Sequence, residues 1–268
     1  MRSEENVAFI TGSGAIENAW SPIIKILEDI PLNICDADSV NCYLTRIIYL
    51  LRFYSVAKLP NSKIELKEIL QDFKKLKEAI CAALIFAEKI GMIKPRQEIE
   101  NILKKFIFSK TIKSVFITTN WDLVLDNYIN KIGQSKSPSQ NSSSIIVHHI
   151  HGSVESSNSL YLPSEIINEP YRSEEDNQEM GYKHAATIRI LQQCDKTIIY
   201  GLSLDPLDAE LSQILASGWG TGKTREIIVI NPDYKKVCQR VRLLITPEHN
   251  ININGIYPSN LNKKFKYL

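Results

Sequence analysis

Residues 7–15 read VAFITGSGA, and this stretch determines which fold the chain can adopt. Residues 7–11 form a short apolar run, and Gly12, Ser13 and Gly14 follow it directly. A short apolar run that ends in glycines is typical of a buried strand that turns into a helix. The pattern therefore predicts that the chain opens with a strand, a glycine turn and a helix.

Four further apolar runs resemble the first one in length and composition. They lie at residues 114–118, 145–150, 197–200 and 227–230. Stretches with helical spacing of apolar residues lie between them, at residues 122–132, 183–194 and 208–216. Continuous apolar strands that alternate with helices are typical of a parallel sheet covered on both faces. We therefore predict an α/β fold, with a Rossmann-like parallel sheet and helices on both of its faces.

A block of helical sequence separates the first two predicted strands. Residues 40–108 carry apolar side chains at helical spacing over most of their length. We expect this block to form an inserted helical subdomain, at about residues 31–112, within one domain that spans residues 1–268. Residues 134–144 are polar and predict an exposed, flexible loop.

The composition argues against several classes of protein. The formal net charge is +2, so we expect no direct contact with nucleic acid. The chain has no signal-peptide pattern and no apolar run of ~18 residues, so we expect no membrane span and a cytoplasmic location. The five cysteines are scattered without a C-x-x-C pair, which favours neither a disulfide framework nor a cysteine zinc site.

Small and polar residues follow every predicted strand. These segments are Gly12-Ser13-Gly14-Ala15, Thr119-Asn120-Trp121-Asp122, His151-Gly152-Ser153, Gly201-Leu202-Ser203 and Asn231-Pro232-Asp233. Ligands of open parallel sheets bind beyond the carboxyl ends of the strands, so we expect a ligand site formed by these segments. The first segment is a weak signal alone, because Glu17 stands where the third glycine of a dinucleotide loop would be. Its small residues would still let backbone N–H groups approach a pyrophosphate.

Together these motifs resemble those of the sirtuin family, and most closely its bacterial NAD-hydrolase branch. Gly12 to Ala15, with Pro22 after them, are similar to the G-A-G-x-S…P loop, and residues 118–122 to the T-T-N-[YW]-D motif. His151-Gly152-Ser153 resembles H-G-[ST]. Residues 201–204, with Asp205 and Asp208, are similar to the G-x-S-L-x-D stretch, and Ile230-Asn231 to a strand-end Asn on the adenosine side. The motifs occur in the family's order along nearly the whole chain.

The resemblance implies that NAD is the substrate and that it is cleaved to nicotinamide and ADP-ribose. Asn120 and His151 are the catalytic candidates: Asn120 would orient water or a ribose hydroxyl, and His151 would accept a proton. The resemblance also implies that Asp122 holds the nicotinamide carboxamide. The predicted NAD-binding residues are Gly12, Ser13, Gly14, Ala15, Pro22, Thr119, Asp122, Gly201, Ser203 and Asn231.

Several of these residues also have a simpler structural interpretation. Asn120 could be a helix N-cap, and His151 a hydrogen-bonded loop histidine. For Trp20 and Trp121 we expect packing in the core more than a place in the pocket wall. The histidines at 148, 149 and 151 have no nearby cysteine or acidic ligand, so we expect no metal. Residues 220–224, GTGKT, precede a predicted strand and are expected to form a plain loop.

The leading functional hypothesis is an NAD hydrolase. No cysteine lies between His151 and Cys194, so the zinc ribbon of deacylating sirtuins is absent. The resemblance implies a role in antiphage defence, and because unregulated NAD cleavage is toxic we expect control by self-assembly or a partner. A homo-oligomer, a ring ATPase or an Argonaute-type protein are the candidates. The alternatives are an NAD-dependent protein deacylase and a non-catalytic module that binds NAD or ADP-ribose.

Overall fold

The computed structural model describes residues 4–134 and 145–261. The polar stretch predicted as a flexible loop at 134–144 lies outside the described residues, except for Gln134, which ends a helix.

Six parallel strands form the central sheet, and two very short strands pair beside it. The six are β1 (Glu5–Thr11), β4 (Ile112–Thr118), β5 (Val147–His149), β6 (Lys196–Tyr200), β7 (Glu226–Ile230) and β8 (Asn252–Ile256). The short antiparallel pair is β2 (Ile16–Glu17) with β3 (Lys94–Pro95). The spatial order is β5-β4-β1-β6-β7-β8. Counted among themselves, the six strands have the order 3-2-1-4-5-6, which is that of doubly wound dinucleotide-binding sheets.

The first strand shows why the sheet is buried on both faces. Successive side chains of a strand point to opposite faces. Val7 and Phe9 pack into the core on one side of the sheet, and Ala8 and Ile10 pack into the core on the other. The prediction of an α/β fold with helices covering both faces is confirmed.

Eight helices accompany the strands within the described residues. They are α1 (Ser21–Ile26), α2 (Ala37–Val56), α3 (Ser62–Lys89), α4 (Gln97–Phe108), α5 (Val124–Gln134), α6 (Glu174–Gln192), α7 (Ala209–Trp219) and α8 (Tyr234–Leu244). The insertion between β1 and β4 contains α1 to α4, and its two long helices pack against each other. Asp36 caps α2 by accepting the amide of Ser39 at 2.8 Å, which fixes where the first long helix begins.

Besides the short β2–β3 pair, the structure adds one strand to the predicted central sheet and one helix before it. The strand β8 reads NINGI, and α8 precedes it. As an edge strand it buries only Ile256 fully, so its sequence lacks the apolar run that marks the other strands. The GTGKT segment lies between α7 and β7, as expected for a plain loop.

Candidate functional site

A cleft lies where the strand order reverses, between β1 and β6, beyond the carboxyl ends of the strands. It has a volume of about 830 Å³, counting its solvent-open mouth. Sheets with this order bind ligands at this reversal point. The predicted site residues that line the cleft are Ser13, Thr119, Asn120, Asp122, His151, Gly201 and Ser203. The structure thus brings together side chains from four of the five predicted strand-end segments.

The glycine loop after β1 is packed tightly against the loop after β6. Gly14 donates its amide to the carbonyl of Gly201 at 2.9 Å, and Gly12 donates to Tyr200 at 3.0 Å. Ala15 donates its amide back to Gly12. These amides are therefore occupied by protein carbonyls, and close backbone packing accounts for the glycines. Ser13 is the residue of this loop that lines the cleft.

Asn120 occupies the turn after β4 with its backbone fixed on both sides. Its amide donates to the Thr118 hydroxyl at 3.1 Å, and its carbonyl accepts from the ring of His149 at 2.9 Å. The residue is 8% exposed, and its side-chain Nδ2 finds no hydrogen-bond partner within the described residues. A buried donor without a partner carries a free-energy cost, and functional sites are a common place for one. Here the residue lines the cleft, where a ligand can accept that hydrogen bond.

His151 lies in the turn after β5, opposite a carboxylate. Its Nε2 is 3.3 Å from Oδ2 of Asp208, too poorly aligned to count as a hydrogen bond in the described structure. Burial alone would lower the pKa of His151, but Asp208, the more distant Glu165 and the Thr119 carbonyl raise it above its ordinary value. The carboxylate therefore makes the ring a stronger base, because it stabilises the positive charge that the ring gains when it accepts a proton.

Asp208 uses its two carboxylate oxygens for different purposes. Oδ1 accepts the amide of Leu211 at 3.2 Å and caps α7, while Oδ2 faces His151. The sequence motif includes Asp208 but gives it no role, since only the fold brings it to His151. Asp205 and Asp208 both line the cleft.

Asp122 is buried and lines the cleft beside Asn120. Its Oδ1 accepts the amide of Val124 at 3.1 Å, at the start of α5. Burial raises the pKa of Asp122 from 3.8 to about 6, because the charged carboxylate loses hydration. This carboxyl group can therefore change its protonation state within the cleft near neutral pH.

Apolar residues form most of the remaining wall. The rings of Trp20 and Trp121 meet edge to face at 6.3 Å between centroids, and both line the cleft. The sequence favours core packing over a place in the pocket wall, and the structure shows both: the two rings pack with the core and also line the cleft. Asn41 of α2 and Leu84 of α3 line the cleft as well. Sequence patterns could not identify these two, because the inserted helices reach the site only through tertiary packing.

Four predicted NAD-binding residues, Gly12, Gly14, Ala15 and Pro22, do not line the cleft in the described structure, and neither does Asn231. Asn231, after β7, donates its amide Nδ2 to the carbonyl of Leu202 at 3.1 Å. It therefore supports the loop that carries Ser203. The binding roles assigned to these residues stay predictions.

The long segment after His151 is anchored by two buried carboxylates. Glu165 accepts from Arg172 at 2.8 Å and from the amide of Leu162 at 2.6 Å. Glu169 pairs with Arg52 of α2 and accepts the amide of Ile166 at 2.8 Å. The inserted helices therefore hold the segment that follows His151.

No protein-family model matches the sequence, and no curated protein matches it. Among solved structures, the chain is similar to one described as "Structural Basis for the Mechanism and Regulation of Sir2 Enzymes". The two share 14% sequence identity with a TM-score of 0.39, and the match covers 98% of this chain and 91% of the other. Because this likeness is distant, the assignment of a Rossmann-like fold depends on the strand order itself.

Two other features of residues 4–134 and 145–261 bear on function. Within these ranges, no group of three or more His, Cys, Asp or Glu residues is placed to hold a metal ion. No helix in the described part of the chain has the length and apolar composition needed to cross a membrane.

Proposed function

We propose that the cleft binds NAD and that the protein hydrolyses its nicotinamide–ribose bond, releasing nicotinamide and ADP-ribose. One observation carries the proposal: Asn120 and His151 line a single cleft at the reversal point of a 3-2-1-4-5-6 sheet. Dinucleotides bind at that point in sheets of this order. The motif resemblance to sirtuin-like NAD hydrolases supports the same substrate.

The chemistry requires little from the protein beyond positioning and one proton acceptor. Nicotinamide leaves NAD as a neutral molecule, because the pyridinium charge is lost when its bond to ribose breaks. The transition state at the sugar resembles an oxocarbenium ion, as in glycoside cleavage. Water then forms the new bond to the ribose carbon and loses one proton.

The residues of the cleft match these needs. The unpartnered Nδ2 of Asn120 donates to the attacking water or to a ribose hydroxyl. The His151–Asp208 pair accepts the proton, and the carboxylate stabilises the imidazolium that results. Asp122 receives the carboxamide of nicotinamide, and the two tryptophans help exclude bulk water.

Regulation by assembly belongs to the same proposal. Unregulated cleavage of NAD would be toxic in a cell, so we expect activity to depend on a homo-oligomer or on a partner protein. The role we propose for this regulated activity is antiphage defence. Light scattering after size exclusion, with activity measured across the same fractions, tests this. A monomer with full activity at every concentration would contradict it.

The direct test is incubation of the purified chain with NAD, followed by detection of nicotinamide and ADP-ribose. Asn120→Ala and His151→Ala should each reduce release at least about 100-fold, because each removes a group that acts in the transition state. Asp36→Asn, which changes a helix cap on the inserted helices, is the control and should retain activity.

Two outcomes would favour one of the alternative functions. Binding of NAD without release of nicotinamide, in every assembly state, would indicate a non-catalytic NAD-binding module. Turnover of NAD only in the presence of an acylated peptide would indicate a deacylase.

A further inference from the structure

A second histidine–carboxylate pair lies directly behind Asn120, outside the cleft. The Nδ1 of His149 is 2.9 Å from the backbone carbonyl of Asn120. Its Nε2 is 3.0 Å and 3.2 Å from the two carboxylate oxygens of Asp126 on α5. One imidazole ring therefore connects a helix side chain to the backbone of the residue proposed to orient the nucleophile.

We propose that His149 and Asp126 are positioning residues that fix the orientation of Asn120. The inference deepens the proposed NAD hydrolysis and rests on the role assigned there to Asn120. Neither His149 nor Asp126 lines the cleft, so both act through Asn120 and not on the substrate.

The contacts of Asn120 show why such an anchor is needed. The side-chain amide Nδ2 has no partner in the described structure, so no hydrogen bond from that atom holds the side chain. Its direction depends on the backbone, which Thr118 holds through the amide and His149 holds through the carbonyl. Loss of the carbonyl contact would let the peptide after Asn120 rotate, and the side chain would turn with it.

Both partners of the His149 ring are hydrogen-bond acceptors. A carbonyl faces Nδ1 and a carboxylate faces Nε2, so only the doubly protonated ring can donate to both. Deprotonation of either nitrogen would place a lone pair against an acceptor. The imidazolium is therefore the form that anchors Asn120.

The charged groups around the ring agree with that form. Burial alone would lower the pKa of His149, but Asp126, the Asn120 carbonyl and the nearby Asp122 raise it above its ordinary value. The pKa of His148, the adjacent residue on β5, is lowered by burial and by His149, so the neutral form of its ring is favoured.

The position of His149 also separates it from His151. The two lie two residues apart, but His149 pairs with Asp126 of α5 whereas His151 faces Asp208 at the start of α7. The two rings have different carboxylate partners, so the two histidines of the H-x-H pattern belong to two separate histidine–carboxylate pairs.

The test uses nicotinamide release by the full chain in its active assembly state, with kcat and KM for NAD measured separately. His149→Ala should lower kcat about 10- to 100-fold, as expected for a displaced catalytic group, and change KM less than about threefold. The double variant His149→Gln with Asp126→Asn should recover part of kcat, because two amides can rebuild the bridge from carbonyl to helix. His148→Gln, on the same strand, is the matched control and should retain kcat.

A readout that does not depend on turnover separates this inference from the proposed function. The side-chain amide resonance of Asn120, followed by ¹⁵N NMR, should shift in His149→Ala and return toward its original position in the double variant. The His149 ring should titrate at lower pH in Asp126→Asn than in the original protein.

The outcomes are distinct. An unchanged kcat in His149→Ala, or an unchanged Asn120 resonance, would overturn the positioning role. Equal losses of kcat, NAD affinity and folded fraction would overturn it too, because they would indicate a merely structural pair. If the original protein releases no nicotinamide while the Asn120 resonance responds as described, the proposed hydrolysis fails and the anchoring of Asn120 stands.

Discussion

At the scale of single residues, the cleft holds a carboxyl group whose burial costs free energy. Asp122 is 5% exposed, and its pKa is raised by burial from 3.8 to about 6. Between about pH 4 and pH 6 the folded state keeps a proton that the unfolded state has released. The free energy of unfolding therefore decreases as pH rises through this window, by about 3 kcal/mol in all. Residues kept at such a cost are candidates for function.

Replacing the Asp122 carboxylate tests both how much free energy its burial costs and whether it contributes to nicotinamide release. Asp122→Asn keeps an acceptor for the Val124 amide and removes the buried charge. We expect the free energy of unfolding at pH 7.5 to rise by about 1–3 kcal/mol and nicotinamide release to fall. Urea unfolding at pH 7.5 and at pH 3.5 measures the first effect. Because wild-type Asp122 is protonated at pH 3.5 in both states, the gain should vanish there; an equal gain at both pH values would show that burial of charge is not its cause.

Gly201 allows a second test at this scale. Its φ is +64°, and an added Cβ would lie 2.4 Å from the carbonyl carbon of Gly14 and 2.5 Å from the amide of Ala15. Both are backbone atoms, so neither can move aside as a flexible side chain would. We expect Gly201→Ala to lower the free energy of unfolding by about 4 kcal/mol or more.

The matched control is Gly91→Ala. Gly91 has a φ of +71°, but nothing lies within 4 Å of an added Cβ. Only the left-handed backbone then costs free energy, about 1–2 kcal/mol. Urea midpoints that are equal for the two variants would contradict the close packing of the loops after β1 and β6.

Sequence reasoning identifies the residues of the cleft better than it identifies their contacts. The strand-end rule locates Asn120 and His151, because each follows an apolar run directly. It does not indicate which carboxylates lie opposite the two histidines. Asp126 lies inside a helix and Asp208 begins another, and no local pattern shows which histidine a helix will face.

At the scale of elements, the inserted helices hold the segment that follows His151. The side chain of Glu169 is fully buried and pairs with Arg52 of α2, which is about one-third exposed. A buried charge that loses its partner is strongly destabilising, whereas removal of both charges is often nearly neutral. Substitutions at Arg52 and Glu169 therefore test directly whether α2 holds the segment that follows His151.

Arg52→Met should lower the free energy of unfolding by about 3 kcal/mol, because Glu169 is left buried without a counter-charge. Arg52→Met combined with Glu169→Gln should recover most of that loss, since the glutamine still accepts the Ile166 amide. Urea unfolding of the single and double variants gives the coupling between the two positions. Additive losses would show that the two side chains do not act as a pair.

The strand that the sequence pattern does not predict is also informative. Strand β8 has Asn252 and Asn254 exposed and Ile253 only partly buried, so its pattern is neither a continuous apolar run nor a strong alternation. It joins the sheet because β7 supplies an open edge for it. A strand whose pairing depends on its neighbour has little signal of its own.

At the scale of the whole molecule, the fold and the cleft follow from the same topology. The strand order reverses beside β1, and the closely packed loops after β1 and β6 form one side of the cleft at this reversal point. The segments after β4 and β5 supply the polar side chains, and the inserted helices close one wall. Periodicity in the sequence shows which segments are strands but not which neighbour each strand will choose, so the strand order becomes visible only in the folded chain.

If this crevice is the NAD site, the ligand should stabilise the entire domain. His151→Ala allows binding to be measured without consumption of NAD. At a concentration ~100 times the Kd, a ligand that binds only the folded state adds about 2.7 kcal/mol. For a domain of this size that corresponds to a rise in Tm of about 5 °C or more. Ser203→Tyr, added to the same protein to fill the cleft, should remove the NAD-dependent rise and leave the Tm without ligand nearly unchanged. A rise of equal size in both proteins would place the NAD site elsewhere on the molecule.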